Sequence, residues 1–290
     1  MILEITKKAK IFADLHRKKE PFILANAWDA VSARIFEKMG FSAIGTTSAG
    51  IAASRGYRDM QNISFPEMID NIEQVLSSVT IPVSVDIEAG HGKNTGEIIH
   101  NIQKVVSLGA VGINFEDGTG NVASPITPIT TQAERIRAIR EKIPSEQLWI
   151  NARVDVFYLG LLEREKALEE TIRRAHAYLE AGADSIFVVV NDKNLISSLT
   201  REIQAPINLL ANAALPSMEE LKELGVARVS LGSGPIRAVL GLLEEISREL
   251  LTFGTYRKLS DNAISYSALQ ELFPPIEGRQ NGIPSKSYLS

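Results

Sequence analysis

The 290-residue sequence predicts a (β/α)8 barrel with extra C-terminal helices. Three observations carry that prediction. First, "EKMGFSAIGTTS", "VSLGAVGINFED", "LEAGADSIFVVV" and "KELGVARVSLGS" share one plan: a helix end, a Gly, a small residue, then a short apolar strand. Gly fits the left-handed position just past a helix, and a near-continuous apolar strand fits a parallel sheet covered on both faces. Second, "PFILANA", "IPVSVDIE", "LWINARVDVF" and "PINLLANA" bring the strand candidates to eight. Third, segments between them carry helical periodicity, as in "ITTQAERIRAIREKI" and "REKALEETIRRAHAYLEAG". Eight βα units in this length point to a closed barrel. A doubly wound open sheet is the alternative, but no glycine-rich dinucleotide fingerprint follows the first strand.

Taken in chain order, the first stretch, "MILEITKKAKIFADLHRKKE", sets apolar and basic residues at helical spacing and has neither an apolar h-region nor a small-residue cleavage site. Strand one ends in "NAWDA", with Asn26, Trp28 and Asp29; strand two ends in "GTTSAG", with Thr46, Thr47 and Ser48. Strand three ends at Asp86 and Glu88, strand four at Glu116 and Asp117, and strand five at Arg153 and Asp155. Strand seven ends at Asn212 and strand eight in "SLGSG". Beyond it, "PIRAVLGLLEEISRELLTFGTYRKL" and "DNAISYSALQELF" supply more helix than barrel closure requires. One domain over 1–275 is expected, followed by a Pro/Gly/Ser-rich tail at 276–290 that is loosely held.

Composition narrows the function. A formal charge of −4, with Lys and Arg scattered, gives no basic field for nucleic acid. No apolar run approaches the ~18 residues of a membrane span, and the cytoplasm is the expected compartment. The absence of cysteine removes disulfides, thiolate metal sites and a Cys nucleophile or acid.

Active sites of such barrels lie at the C-terminal ends of the strands. Asp86 and Glu88 share a face because strand side chains alternate, and they converge with Glu116 of the next strand. Three carboxylates forced together repel one another unless a cation neutralises them. An oxygen-only set without His or Cys suits Mg²⁺, with Mn²⁺ as the second choice. The plain alternative, helix caps or surface charges, fits Asp29 and Asp117 better than these three. Arg153 needs an anionic partner at a strand end, and its fork suits a carboxylate or an enolate oxygen; a salt bridge with Asp155 or a mouth acid is the structural alternative. Thr47 and Ser48 offer hydroxyls and backbone N–H groups to an anion, or merely shape an ST-turn. His91, between two glycines, either positions the turn or touches substrate. "LGSGP" reads as a phosphate cradle or as an ordinary tight turn.

In order and approximate spacing, "NAWDAVSARIFEKMG", "SAGIAASRGYRD", "DIEAGHG", "INFED", "INARVD" and "LLAN" resemble the isocitrate lyase and phosphoenolpyruvate mutase superfamily, from about residue 10 to residue 245. The resemblance implies Mg²⁺ held, mainly through waters, by Asp86, Glu88 and Glu116, with Asp59 of "GYRD" serving metal and substrate. It implies catalytic roles for Arg153, Asp59 and Glu116. It implies substrate contacts from Trp28, Thr47, Ser48, Asp86, Arg153 and Asn212, although Thr47-Ser48 stands where the family carries Ser-Gly. It also implies a last helix exchanged between subunits of a dimer, usually within a tetramer. The chain departs in the loop after strand four, "DGTGNVASPITPITTQ", which holds neither the Cys-containing motif of the lyases nor the Lys of the mutases.

The expected activity is therefore Mg²⁺-dependent cleavage of a C–C bond in a small 2-oxo or 2-hydroxy di- or tricarboxylic acid, through an enolate that the metal and Arg153 stabilise. P–C chemistry on a phosphonopyruvate- or phosphoenolpyruvate-like substrate, as mutase or hydrolase, is the alternative. A barrel that binds a small acid without turnover is a third reading, against which the metal acids and Arg153 argue. The expected partner is a small carboxylic acid, with no nucleic acid or membrane, in a homo-oligomer.

Overall fold

The computed structural model describes residues 2–261 and 263–273; the expected tail, 276–290, lies outside the described residues. The eight strands are β1 (Phe22–Ala27), β2 (Ile44–Thr46), β3 (Val83–Asp86), β4 (Gly112–Glu116), β5 (Trp149–Val154), β6 (Ser185–Val188), β7 (Ile207–Leu210) and β8 (Arg228–Ser230). All pair in parallel in sequence order, and β1 pairs with β8 to close the barrel. The helices in chain order are α1 (Ile2–His16), α2 (Ala30–Lys38), α3 (Ser48–Ser54), α4 (Phe65–Ser78), α5 (Thr95–Ser107), α6 (Ile129–Lys142), α7 (Arg164–Glu180), α8 (Lys193–Glu202), α9 (Met218–Glu223), α10 (Gly234–Phe253), α11 (Arg257–Ser260) and α12 (Tyr266–Gln270). The expected fold class is the observed one.

The repeated Gly is used as the sequence predicts. Gly40, Gly109, Gly182 and Gly225 all take positive φ between a helix end and the next strand, where a Cβ would be strained. Between strands and helices lies one continuous core, with Ile113, Phe115, Ile150, Ile186, Leu209 and Val229 on its strand side. It is closed from the helix side by Ile136, Ile139, Tyr178, Ile196, Leu199 and Leu221. Burying each such side chain stabilises the fold by about 1.5–3 kcal/mol before ordering costs.

Helix α1 lies across the amino-terminal ends of the strands. Phe12 reaches Gly112 at the start of β4, where a Cβ would lie 2.7 Å from its ring. His16 stacks on Trp149 at 4.2 Å and meets Phe22 edge-on at 4.8 Å. Burial pushes the His16 imidazole down to about 3, so it packs as a neutral aromatic. With this end plugged, the opposite end is left to chemistry.

The chain divides into two compact units, Met1–Leu240 and Gly241–Ser290, so the boundary falls inside α10. In the second unit Glu249 accepts from Thr255 Oγ1 and from the N–H groups of Arg257 (3.0 Å) and Lys258 (2.8 Å). Lys258 also pairs with Glu245 at 2.6 Å. Leu243, Leu251 and Phe253 of this unit are exposed. No helix among the described residues is long and apolar enough to cross a membrane.

Candidate active site

Strand alternation sets the layers inside the barrel. Asp86, Asn114 and Asn151 are in register on three neighbouring strands, and two residues beyond Asn114 and Asn151 stand Glu116 and Arg153 at the C-terminal mouth. Glu116 and Arg153 are cross-strand partners, and Arg153 Nη1 lies 3.0 Å from Glu116 Oε2. Arg153 Nε donates to Asp155 Oδ1 at 2.6 Å. The guanidinium also lies over the Tyr158 ring at 4.7 Å and the Phe187 ring at 5.5 Å. The structural alternative foreseen for Arg153, a bridge to Asp155 or a mouth acid, is thus present with both.

Asp86 Oδ2 accepts from Ser48 N–H (3.0 Å) and Ser48 Oγ (2.7 Å), while Asp86 N–H donates to Thr46 Oγ1 at 2.9 Å. Glu88 sits in the left-handed region at φ 50°, a costly conformation that turns its side chain back over the mouth. Its Oε1 accepts from Gln61 N–H (2.7 Å), its Oε2 lies 3.0 Å from His91 Nε2, and its carbonyl accepts from Glu116 N–H at 3.0 Å. His91, also left-handed, donates its N–H to Gln61 Oε1 at 2.9 Å. The residues around Gln61 are therefore tied to Glu88 from two sides.

Charge is concentrated here. Burial raises Asp86, against the two Ser48 hydrogen bonds, and raises Glu116 well above the ordinary carboxylate range, against the pull of Arg153. Burial likewise raises Asp155. Burial would lower Arg153, but the carboxylates of Glu116, Asp155 and Asp86 hold it above its ordinary value. Asp59 stands at the exposed rim, pushed up by partial burial and by Glu88 and Asp86.

The remaining expected residues are placed differently. Thr47 is buried and caps α3, its Oγ1 accepting from Gly50 N–H at 3.2 Å. Trp28 is half-buried at the end of β1 with its N–H on Ser32 Oγ at 3.1 Å. Asn212 is exposed, its Oδ1 taking the Ala214 N–H at 2.9 Å, and none of its hydrogen bonds reaches the acids. Asp29 closes a capping box on α2 with Ser32.

Asp117 points out of the barrel into a buried hub. It accepts from Tyr178 Oη (2.7 Å), Arg174 Nη1 (3.0 Å) and Asp155 N–H (2.9 Å), and burial raises it to about 6. Its carbonyl accepts from Thr127 N–H at 2.8 Å, and Gly118 bridges Ile126, so both feet of the loop after β4 stand together. Sequence reasoning missed this hub, whose partners lie on α7. It also missed Gln61, and Arg228, which is fully buried in the barrel interior.

Among the described residues no three Asp, Glu or His side chains converge closely enough to ligate one ion directly. The donor chemistry still fits Mg²⁺, which takes one or two carboxylates and keeps waters in its other positions. The crowding of Asp86, Glu116 and Asp155 leaves negative charge that a cation would relieve.

A closed barrel with buried carboxylates around one arginine at its C-terminal mouth has the arrangement of an enzyme active site. The chain belongs to the phosphoenolpyruvate phosphomutase family, whose profile matches residues 12–251, within the isocitrate lyase/phosphoenolpyruvate mutase superfamily of enzymes acting on C–C or P–C bonds. It is 39% identical to an uncharacterized Mycobacterium tuberculosis protein over 79% of this chain and 84% of that one. It is 24% identical to the 2-methylisocitrate lyase of Escherichia coli over 93% of each. A crystal structure from Burkholderia cenocepacia J2315, assigned only provisionally as a lyase/mutase, superposes with a TM-score of 0.86 at 33% identity, covering 92% of this chain and 96% of that one. A phosphonopyruvate hydrolase solved with oxalate and Mg²⁺ shares the fold, with a TM-score of 0.81 at 24% identity over 91% and 94%.

Proposed function

We propose that this protein is a Mg²⁺-dependent lyase that cleaves a C–C bond in a small 2-oxo or 2-hydroxy di- or tricarboxylic acid. The observation that carries this reading is Arg153, fixed between Glu116 and Asp155 and within electrostatic reach of Asp86. Asp86, Glu88 and Glu116 would hold the ion, with waters completing its shell. Bound there, Mg²⁺ supplies a Lewis acid for the keto and carboxylate oxygens of the substrate.

The chain's own residues supply the rest. Arg153 presents a fixed positive fork to the charge that develops as the bond breaks, worth roughly 3 kcal/mol or more if it acts as an oxyanion donor does. Glu116 and Asp155 hold that fork from two sides, so it needs no reorientation during reaction. Ser48 orients Asp86 through two hydrogen bonds. Asp59, at the rim and raised by its surroundings, holds a proton more readily than an ordinary Asp and would serve proton transfer there. Trp28, Thr47 and Asn212 complete the substrate surroundings in this reading. Assembly into a dimer or tetramer would cover Leu243, Leu251 and Phe253.

The test is a screen of purified protein with Mg²⁺ against oxaloacetate, methylisocitrate, dimethylmalate and phosphonopyruvate, following carboxylic acid products and phosphate. C–C cleavage that disappears after exhaustive EDTA dialysis and returns with Mg²⁺ is expected. Turnover of phosphonopyruvate alone would transfer the assignment to P–C chemistry, and full activity after EDTA would remove the metal.

A further inference from the structure

One buried cation lies outside this chemistry. Arg228, at the start of β8, is fully buried inside the barrel, and among the described residues no carboxylate lies within ion-pair distance of it. Its Nη2 donates to Asn114 Oδ1 at 2.8 Å and its Nε to Ser230 Oγ at 3.1 Å; Nη1 has no hydrogen-bond partner. Ser84 Oγ and Asn208 Nδ2, in the same interior, also lack one.

Arg228 is part of a polar belt that crosses the barrel. Trp149 Nε1 donates to Ser185 Oγ (2.8 Å), Ser185 Oγ to Asn151 Oδ1 (2.6 Å), and Asn151 Nδ2 to Asn114 Oδ1 (2.8 Å), where Arg228 joins. On its other side Ser230 Oγ donates to Asn208 Oδ1 at 3.1 Å. Apolar side chains of similar volume would fill this layer at lower cost, because an unpaired buried charge is among the most expensive groups a fold can hold.

The belt lies directly beneath the mouth. Asn114, which takes the Arg228 hydrogen bond, is two residues before Glu116 and the cross-strand partner of Asp86. A fixed charge in a water-poor interior acts on the whole layer above it, since neither solvent nor salt screens it well. Burial draws the Arg228 guanidinium down to about 9, and Asp86 opposes that shift, so the two layers interact.

We propose that Arg228 is a positioning residue that sets the charge balance of the mouth, holding back cation binding and favouring the anionic substrate. The proposal rests on the Mg²⁺ reading above. It assigns the cost of the buried charge to a task that Arg153 cannot perform alone, because Arg153 is already shared between two carboxylates.

Calorimetric titration of Mg²⁺ into the ligand-free protein, then of oxalate into protein saturated with Mg²⁺, tests it with the full chain. Arg228→Met and Arg228→Gln remove the charge, and Gln keeps a donor for Asn114. Both should bind Mg²⁺ about tenfold more tightly and oxalate about tenfold more weakly, whereas Arg228→Lys should stay within about threefold of wild type in both. Opposite shifts are the signature, since a loosened barrel would weaken both ligands. Joint weakening, no change, or a Lys variant that behaves like Met would overturn the proposal. So would a Met and Gln pair that cannot fold, which would make the charge purely structural. Absence of Mg²⁺ binding to the wild type would instead fail the metal reading, and the assignment of Arg228 with it. Wild-type Mg²⁺ binding without opposite shifts in the neutral variants fails Arg228 alone.

Discussion

Arg153→Met tests whether the mouth is held together by its single shared cation. Arg153 is 17% exposed and bridges Glu116 at 3.0 Å and Asp155 at 2.6 Å, with Tyr158 and Phe187 against its faces. Met keeps most of the apolar stem and removes the charge. Breaking a buried ion pair from one side costs about 3–5 kcal/mol, and the lost ring contacts add up to about 1 kcal/mol. About 4 kcal/mol should therefore be missing in urea unfolding at pH 7.5. The loss must depend on pH with a definite sign. Glu116 and Asp155 already have raised folded-state values and would rise further without the arginine. A raised carboxyl costs nothing below its unfolded value and destabilises increasingly as pH rises through its folded value, so the deficit should shrink toward pH 5. Adding Glu116→Gln, which removes one stranded acid, should recover part of the loss at pH 7.5. A deficit under about 1 kcal/mol, or one equal at both pH values, would refute the shared-cation reading.

Three further outcomes are expected. Asp117→Asn should flatten the stability curve between about pH 4 and 6: the wild-type carboxyl, at about 6 when folded against an ordinary 3.8, loses about 3 kcal/mol of stability as pH rises through that window, and the wild-type-minus-variant difference in urea unfolding should show it. A difference that stays constant with pH would contradict this. Gly118→Ala places a methyl where Asp155 Oδ2 lies, so Asp155 must shift, and oxalate affinity in the presence of Mg²⁺ should drop severalfold while the melting temperature moves little. Sedimentation should give a mass that is a multiple of 31.7 kDa, and a monomer at micromolar concentration would contradict assembly.

The barrel was legible because each unit announces itself locally: an amphipathic helix, a Gly that must adopt positive φ, and a strand apolar enough for burial on both faces. That Asp86 and Glu116 both face inward follows from alternation along neighbouring strands, since Asp86 is in register with Asn114, two residues before Glu116. What spacing could not say is how each carboxylate is spent. Glu88 turns to His91 and Gln61 because of a left-handed backbone that no propensity marks. Glu116 is shared with Arg153, and the hydroxyl of Thr47 caps a helix. Asp117 finds its partners on α7, at a sequence separation that no periodicity reports. Arg228 was passed over because a cation in an apolar strand reads as an outward or edge residue, whereas the closed barrel turns it inward.

The loop after β4 carries a consequence for redesign. Residues near its two ends meet at the Gly118–Ile126 bridge, and Asp117 pins that junction to α7 below. A segment whose ends already touch can be exchanged for one of another length with little change in closure entropy, which grows only slowly with loop size. Residues 119–125 thus form a graftable cassette, in which the corresponding loop of a relative could be spliced onto this barrel while the acids beneath stay in register.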